Sequence, residues 1–450
     1  MNASQETKNP DTIKLLLRIQ RQYLKCVAKS REDEVSFLQI LNILEDTDAD
    51  TEKREDAEKY VMEAVLEFGE WIGHGDLLTV KMVQEAKLLM VGSATAFGRL
   101  EFLGPFRLQL LHMKMKKVAQ DYNASMKREI NFDDVLSLPW LAALTRMKVS
   151  NKGKEIKKND SSFERHDQFL AAVQTSYFVN LFDNFSEEQP EQLHCIKSME
   201  DLVKFVLDML SSYAIQLYYD PTIQEADRSE DEDDLFQYCQ EMVARFLLSE
   251  AFDIFEEEGD AEGLRTLRRV MVSYFLAQKP DRLDSKYASF TIIDLAVELS
   301  ASQRTRRRMD LYVTINPSGT AGGGLFRDKY MEHCVRAVKG CLRGTHGSID
   351  DIKLEKEIGG LSVISEIIQH NRSSVLRGHL GKQHAKDMVG DDVREQLEEK
   401  AAEYNPFSRT RDTKYIFLDK AKGGVFNGLT VQIMDKFIQS KKREYKLKYK

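Results

Sequence analysis

Apolar residues recur at intervals of three or four positions along most of this chain, which is the pattern of helices that bury one face. In the segment 264–275, the positions that follow this spacing are Leu264, Leu267, Met271, Tyr274 and Phe275. The same periodicity predicts helices over 12–29, 54–68, 105–126, 131–147, 163–185, 199–219, 235–257, 283–300, 349–371, 381–403 and 427–443. We therefore predict a predominantly α-helical (α+β) protein.

Segments with strand character are few. The β-rich candidates are 65–72, 311–315 and 415–418, and each is short. A small sheet is compatible with this pattern, whereas a large one is not.

Two polar interruptions suggest how the chain is divided. The loop 149–162 is polar and basic, and the run 225–234 contains seven acidic residues and one basic residue, which is too much charge to bury. We predict a helical N-terminal segment at 1–60, the two halves of a central domain at 61–224 and 235–375, an acidic linker at 225–234, and C-terminal helices with a basic tail at 376–450.

Composition narrows the class of protein. The chain has 450 residues, of which 42% are hydrophobic and 31% charged, values typical of globular proteins. No uncharged apolar run reaches the roughly 20 residues that a bilayer requires, and the N-terminus lacks a signal-peptide core. Five scattered cysteines without ligand or disulfide spacing favour a reducing compartment. We expect an intracellular protein without a membrane span.

The basic residues are concentrated although the net charge is −8. They form an RTRRR segment and a Lys-rich tail, whose candidate nucleic-acid-binding residues are Arg304, Arg306, Arg307, Arg308, Lys441, Lys442 and Arg443. Local basic patches can bind phosphates even on an acidic protein. DNA or RNA is the partner that this pattern predicts, and the tail also matches a nuclear-import signal. The alternative is solvated charge without a partner, and protein partners stay unknown.

Residues with candidate chemistry each have a structural alternative. Asp76 follows a possible strand among glycines and could bind a metal ion or cap the next helix. His112 shares an apolar helical face, so it is either an accessory catalytic group or a core histidine. The lysines at 114, 116 and 117 beside it weakly suggest phosphate contact. Glu332 lies at the rim of an apolar stripe, and the Gly-rich segment 316–324 is a flexible connector more readily than a phosphate loop.

Four segments in order resemble the eukaryotic, transposable-element-associated family known as domain of unknown function 6589. Three of them are Gly75-Asp76-Leu77-Leu78-Thr79, His112-Met113-Lys114-Met115 and the acidic junction 252–260, and the fourth is a helix with Asp328, Glu332, His333 and Arg336. The resemblance covers about residues 60–375 and departs at Val335, where the family usually has Asn. It implies descent from a transposon-encoded protein.

The resemblance also implies a ribonuclease-H-like core, degenerate or complete, that is interrupted by helices. In such cores three acidic residues bind two metal ions. By that analogy Asp76 and Glu332 are metal ligands for Mg²⁺ and His112 is a catalytic accessory group, but no convincing first Asp is present. We therefore expect a nucleic-acid- or protein-binding module without catalysis, in the nucleus rather than the cytoplasm. The alternatives are a metal-dependent nuclease or transposase, which would need Mg²⁺, and a helical scaffold without a cofactor.

Overall fold

A computed structural model describes the elements that follow from these patterns. The described residues are 71–75, 77–90, 103–125, 134–147, 160–220, 233–277, 285–316, 319–330, 389–408, 425–426 and 429–449, with Asp56, Gly92 and Arg99. The described strands are β1 (Trp71–Gly75), β2 (Leu103–Leu108), β3 (Thr314–Ile315) and β4 (Leu325–Phe326). The described helices are α1 (Leu77–Met90), α2 (Leu110–Ser125), α3 (Leu138–Leu144), α4 (Asp160–Glu188), α5 (Pro190–His194), α6 (Met199–Ser212), α7 (Asp234–Glu258), α8 (Ala261–Ala277), α9 (Lys286–Ser300), α10 (Gln303–Leu311), α11 (Asp391–Tyr404) and α12 (Val431–Tyr449).

The fold is predominantly helical, as predicted. Both sheets in the described part of the chain have two strands: β1 pairs with β2 in parallel, and β3 pairs with β4 antiparallel. The ribonuclease-H-like sheet stays a prediction, since two short strand pairs do not identify it. No described helix is both long enough and apolar enough to cross a membrane.

Two compact units contain these elements. The first consists of 1–110, 293–312 and 444–450, and the second of 111–292 and 313–443. In the first unit α1 connects the two parallel strands and packs on both of them. At the end of β2, the buried guanidinium of Arg107 binds Asp294 through two hydrogen bonds of 2.9 Å and Glu298 through one of 2.7 Å. These pairs join β2 to the C-terminal half of α9.

The core of the second unit is formed by α4, α7 and α8, with α6 and α11 packed on α4. Helix α4 buries Phe169, Val173 and Tyr177 at helical spacing, and α8 buries the five apolar residues that the sequence singled out. Tyr122 of α2 donates a hydrogen bond to the His166 carbonyl on α4, at 2.9 Å. The predicted helices at 163–185, 235–257 and 264–275 are therefore confirmed.

One predicted helix begins too early. The periodic stretch 105–126 was expected to be helical throughout, but 103–108 is a strand and the helix begins at Leu110. Pro105 lacks an N–H group, and pairing with β1 gives the neighbouring backbone groups the partners that a helix would otherwise supply. The predicted strands at 65–72 and 311–315 are found in part, as 71–75 and 314–315, whereas 415–418 lies outside the described residues.

The predicted acidic linker falls largely outside the described residues. Its last two residues, Asp233 and Asp234, are buried at the start of α7, where the Asp233 side chain accepts the Leu235 N–H at 2.8 Å. A linker in this run therefore ends before Asp233. The other domain boundaries stay predictions.

A buried network of charges connects three helices of the second unit. Asp121 of α2 binds the Lys117 ammonium at 2.8 Å and the Arg245 guanidinium of α7 at 2.7 Å, and it accepts a hydrogen bond from the Tyr274 hydroxyl of α8. Burial acts to raise the pKa of Asp121, but the Lys117 and Arg245 cations lower it below its ordinary value. Asp121 is therefore ionised in the core.

Removing this carboxylate should strongly destabilise the fold. Asp121→Asn removes the carboxylate that the buried Lys117 and Arg245 cations share and leaves Arg245 only its longer contact with Glu241, at 3.4 Å. The free energy of unfolding should therefore fall by about 3–5 kcal/mol in urea titrations. The exposed pair Lys81–Glu85 has the same helical spacing and is a matched control. Glu85→Gln should cost less than about 1 kcal/mol. Equal losses in the two variants would contradict the role assigned to Asp121.

Candidate functional site

The N-terminus of α2 is capped by a carboxylate from a distant part of the sequence. The first turn of α2 contains no acidic residue, but Asp328, in the helical turn 327–330, accepts the Leu111 N–H at 2.9 Å. A helix N-terminus leaves N–H groups without partners and attracts negative charge, so this contact satisfies both requirements. It brings residues 111 and 328 into one site within the second unit.

His112 lies beside this carboxylate. Its Nδ1 is 3.7 Å from Oδ2 of Asp328, which is too long for a hydrogen bond but within ion-pair distance for a protonated ring. The His112 side chain is 29% exposed, so one edge of the ring reaches solvent. His112 is therefore neither a fully buried core residue nor a fully solvated one.

Lys114, two residues further along α2, connects two more helices to the site. Its ammonium is 2.9 Å from Asp167 of α4 and 2.6 Å from Asp253 of α7. Burial acts to lower the pKa of Lys114, but Asp167 and Asp253 outweigh it and raise the pKa. Lys114 thus stays charged although it is almost inaccessible to water.

Lys114 and Lys117 consequently do not form a phosphate-binding surface. The sequence suggested one from the lysines at 114, 116 and 117, but the structure places both of these lysines in the interior against carboxylates. The physical reason is that they lie on the buried face of α2, three residues apart.

The β3–β4 hairpin attaches to the C-terminal end of α7. Glu256 of α7 accepts the Phe326 N–H at 2.8 Å and lies 3.5 Å from the Lys329 ammonium. Gly324 donates its N–H to the Glu257 carbonyl at 2.8 Å, and a side chain at Gly324 would collide with the Glu256 carbonyl. The Gly-rich segment therefore ends in a hairpin docked on a helix.

Three segments that the sequence singled out thus meet in one place, which we call the motif junction (His112, Lys114, Asp253, Glu256 and Asp328). The contacts are Lys114 with Asp253, His112 with Asp328, and Glu256 with the residues flanking Asp328. Asp76 and Glu332 lie outside the described residues, so their roles as metal ligands stay predictions. Among the described residues, no group of three or more His, Cys, Asp or Glu side chains could hold a metal ion.

Burial raises the pKa values of several carboxylates around the junction. Burial is the main cause that raises the pKa of Glu164, Glu250 and Glu256, and neighbouring aspartates add to it. For Glu256, the Lys329 ammonium and the Phe326 N–H act in the opposite direction without cancelling the effect. The pKa shifts therefore make these carboxylates harder to ionise than carboxylates in water.

The arginine segment forms α10 in the first unit. Ser302 caps it by accepting the Thr305 N–H at 3.1 Å, and Met309 anchors it with no exposed surface. At 100° per residue, Arg304 and Arg307 point away from Met309, and both are exposed. Arg306 is also exposed and donates from Nε to the Ala301 carbonyl at 3.1 Å, whereas Arg308 is half-buried.

The described part of the basic tail belongs to α12. Lys441 is half-buried with its ammonium 5.9 Å from the centre of the buried Phe437 ring, which is cation–π distance. Lys442 and Arg443 are exposed. The described end of this helix therefore presents two exposed cations to solvent and holds a third against a buried aromatic ring.

A protein-family model described as Family of unknown function (DUF6589) matches residues 26–384, which is most of the chain. This chain belongs to the DUF6589 family. The match extends beyond the predicted 60–375 at both ends. No curated protein and no solved structure matches the chain. The DUF6589 match contains the whole motif junction and α10, but it ends before Lys441 and the rest of the basic tail.

Sequence reasoning missed most partners in the junction of this DUF6589 chain. Lys114 and Asp253 are 139 positions apart, and no local pattern connects them. A usable signal was present within each helix, since Glu164 and Asp167 on α4, like Glu250 and Asp253 on α7, are three residues apart and share one helical face. Carboxylates repeated on one helical face indicate a shared cationic partner.

The raised pKa of Glu256 predicts a pH-dependent stability. Between its ordinary value of 4.5 and its raised value, the folded chain binds more protons than the unfolded chain, so the free energy of unfolding falls as pH rises through this window. Glu256→Gln removes that loss. The variant should therefore gain stability relative to the wild type at neutral pH, and the gain should shrink toward pH 4.5.

The measurement is urea unfolding at several pH values. Glu258→Gln, an exposed change at the same helix end, is the control and should show no such pH-dependent difference. A gain that grows as the pH falls would contradict the sign of this effect.

Proposed function

We propose that this DUF6589 protein is a nucleic-acid-binding module that contacts the phosphate backbone through α10. The observation that carries the proposal is the direction of two arginines: Arg304 and Arg307 lie on the solvent face of a capped helix, opposite the buried Met309. Side chains three positions apart on a helix have Cβ atoms about 5–6 Å apart, so two guanidinium groups can bind neighbouring phosphates.

The chemistry favours backbone contact over base reading. Guanidinium groups bind phosphate oxygens through paired hydrogen bonds and carry charge at every physiological pH. Phosphate contacts position a protein but do not distinguish sequences. The proposal is therefore a sequence-tolerant module for DNA or RNA, with Lys442 and Arg443 of α12 as further phosphate contacts. Arg306, Arg308 and Lys441 have weaker support, because Arg306 lies only about 60° around α10 from the buried Met309, and Arg308 and Lys441 are half-buried.

Localisation and descent belong to the same proposal. We place the protein in the nucleus because its basic segments match import signals and because its proposed ligand is nucleic acid. We also propose that it descends from a transposable-element protein. The proposed descent is supported by the motif resemblance. The family name states neither an origin nor an activity.

The test is the salt dependence of binding. Fluorescence anisotropy with labelled duplex DNA, single-stranded DNA and RNA should show affinity that falls steeply with salt. Arg304→Gln/Arg307→Gln should lower the slope of log K against log salt by about 1.8 for duplex DNA, because each lost phosphate contact contributes about 0.9. The affinity should fall at least about tenfold.

A matched control separates local contacts from net charge. Lys197→Gln/Lys286→Gln removes an equal number of charges from exposed positions outside α10 and α12 and should leave the slope unchanged. Equal losses in the two double variants would show that only net charge matters. Absence of binding to all three nucleic acids would contradict the proposed function and leave the scaffold alternative.

A second candidate function, a metal-dependent nuclease or transposase, is favoured by the motif junction. His112 lies beside Asp328, in the turn that begins the segment leading to Glu332. A proton-transfer group next to a carboxylate is a recurrent catalytic arrangement. In this candidate Asp76 and Glu332 would hold Mg²⁺, which would supply charge stabilisation at a phosphate, and His112 would be the group that moves a proton.

We expect the binding module and not the nuclease. Labelled DNA incubated with Mg²⁺ or Mn²⁺ should stay intact with the native chain and with Asp76→Ala, His112→Ala and Glu332→Ala. Cleavage by the native chain that disappears in these three variants, while they bind DNA normally, would establish the nuclease and overturn the non-catalytic proposal.

A further inference from the structure

Helix α6 is apolar on two of its faces. Its inner face buries Phe205 and Met209, and the Phe205 ring lies 5.5 Å from that of Phe182 and 5.0 Å from that of Phe185, both on α4. Its outer face carries a second apolar row, Met199, Val203 and Leu207, which we call the outer row. These side chains are 73%, 51% and 58% exposed. The helix thus presents to water a row that resembles its buried one.

A continuous row of exposed apolar side chains is typical of a surface that contacts another protein. Single exposed apolar residues are common and need no explanation, but three on successive turns make a continuous patch. The apolar side chains of α6 span more than half of its circumference, which is wider than the face that the helix buries. The outer row therefore lacks a covering element that the described part of the second unit does not supply.

The order of sizes along the row suits pairing with itself. Met199 and Leu207 are large and unbranched at Cβ, and the smaller Val203 lies midway between them. If two copies meet antiparallel about Val203, each Met199 packs against the Leu207 of the other copy and the two valines meet where the helices are closest. Rows of residues four apart pack against each other in the commonest class of helix contact, with axes crossing at about −50°. Such a two-fold contact uses the same patch on both copies.

Charges beside the row select the antiparallel arrangement. Glu200 and Lys204 are exposed, and they lie on the same side of the row, about 60° and 100° around the helix from Val203. With a rise of 1.5 Å per residue, antiparallel pairing about Val203 places each Lys204 about 3 Å along the axis from the Glu200 of the second copy. The contact then contains two attractive Lys204–Glu200 pairs and one repulsive approach between the two Lys204 side chains, so attraction outweighs repulsion. Parallel pairing about a two-fold axis would instead place the two charged sides on opposite edges of the contact, where Lys204 and Glu200 of different copies do not meet.

We propose that the outer row of α6 is a homodimer contact in which α6 packs antiparallel against the α6 of a second copy. The contact is small, so the dimer is weak and reversible. This inference concerns assembly and does not depend on nucleic-acid binding.

Sedimentation equilibrium of the full chain tests the contact. The native protein should show a monomer–dimer equilibrium as its concentration rises, and Val203→Asp should raise the dissociation constant at least about tenfold, which is about 1.4 kcal/mol. Val431→Asp, at a 44% exposed position on another helix, is the control and should leave the dissociation constant unchanged. Circular dichroism should show the native helix content for both variants.

Exchanging the two charges distinguishes specific pairing of α6 with itself from nonspecific association. Lys204→Glu and Glu200→Lys should each weaken the dimer, because each places like charges beside one another. The double variant Glu200→Lys/Lys204→Glu restores opposite charges across the two-fold axis and should recover native affinity. A native chain that stays monomeric up to its solubility limit would overturn the proposal. So would a dimer that is insensitive to Val203→Asp, or one that the double exchange does not rescue.

Discussion

A carboxylate can enter a helical core only if cations and hydrogen-bond donors replace the water that it loses. In the second unit Asp121 meets this requirement with Lys117 on its own helix, Arg245 on α7 and Tyr274 on α8. Lys117 also donates to the Arg245 carbonyl at 2.8 Å and to the Ser249 hydroxyl at 2.6 Å. These directional bonds fix the rotation and the axial position of α2 against α7, which apolar packing alone would leave freer.

The motif junction depends on that position of α2. Lys114 lies one turn before Lys117 on the same face, so the rotation that buries Lys117 also directs Lys114 to Asp167 and Asp253. His112 then lies at the first turn, where Asp328 caps the helix. The junction is thus the solvent-side continuation of a line of charges that begins in the core. Its geometry is set by charge matching between helices that are distant in sequence, with Lys114 paired to residues 53 and 139 positions further along the chain.

The parts of this fold that follow from short-range patterns could be predicted, and those that depend on distant partners could not. The buried face of α8 is visible in the spacing from Leu264 to Phe275, because burial imposes that period locally. The stretch 105–108 was predicted to be helical. Its apolar spacing fits a helix as well as a strand, and only the pairing with β1, which the local sequence does not reveal, makes it a strand. The lysines of α2 were interpreted as a surface cluster, because nothing near them in sequence reveals Asp167 and Asp253. For the same reason the Asp328 contact at the N-terminus of α2 was not predicted.

A net charge of −8 is compatible with the proposed binding of phosphates by α10, because screening limits the reach of each charge. At physiological ionic strength the Debye length is about 8 Å, so a phosphate at Arg304 and Arg307 is affected chiefly by the groups around it. Lower salt strengthens the arginine contacts and also extends the repulsion from carboxylates elsewhere on the chain. The two effects oppose each other, so the absolute salt slope understates the number of phosphate contacts. The difference in slope between the native chain and the arginine variant is free of this error, since the distant carboxylates are the same in both.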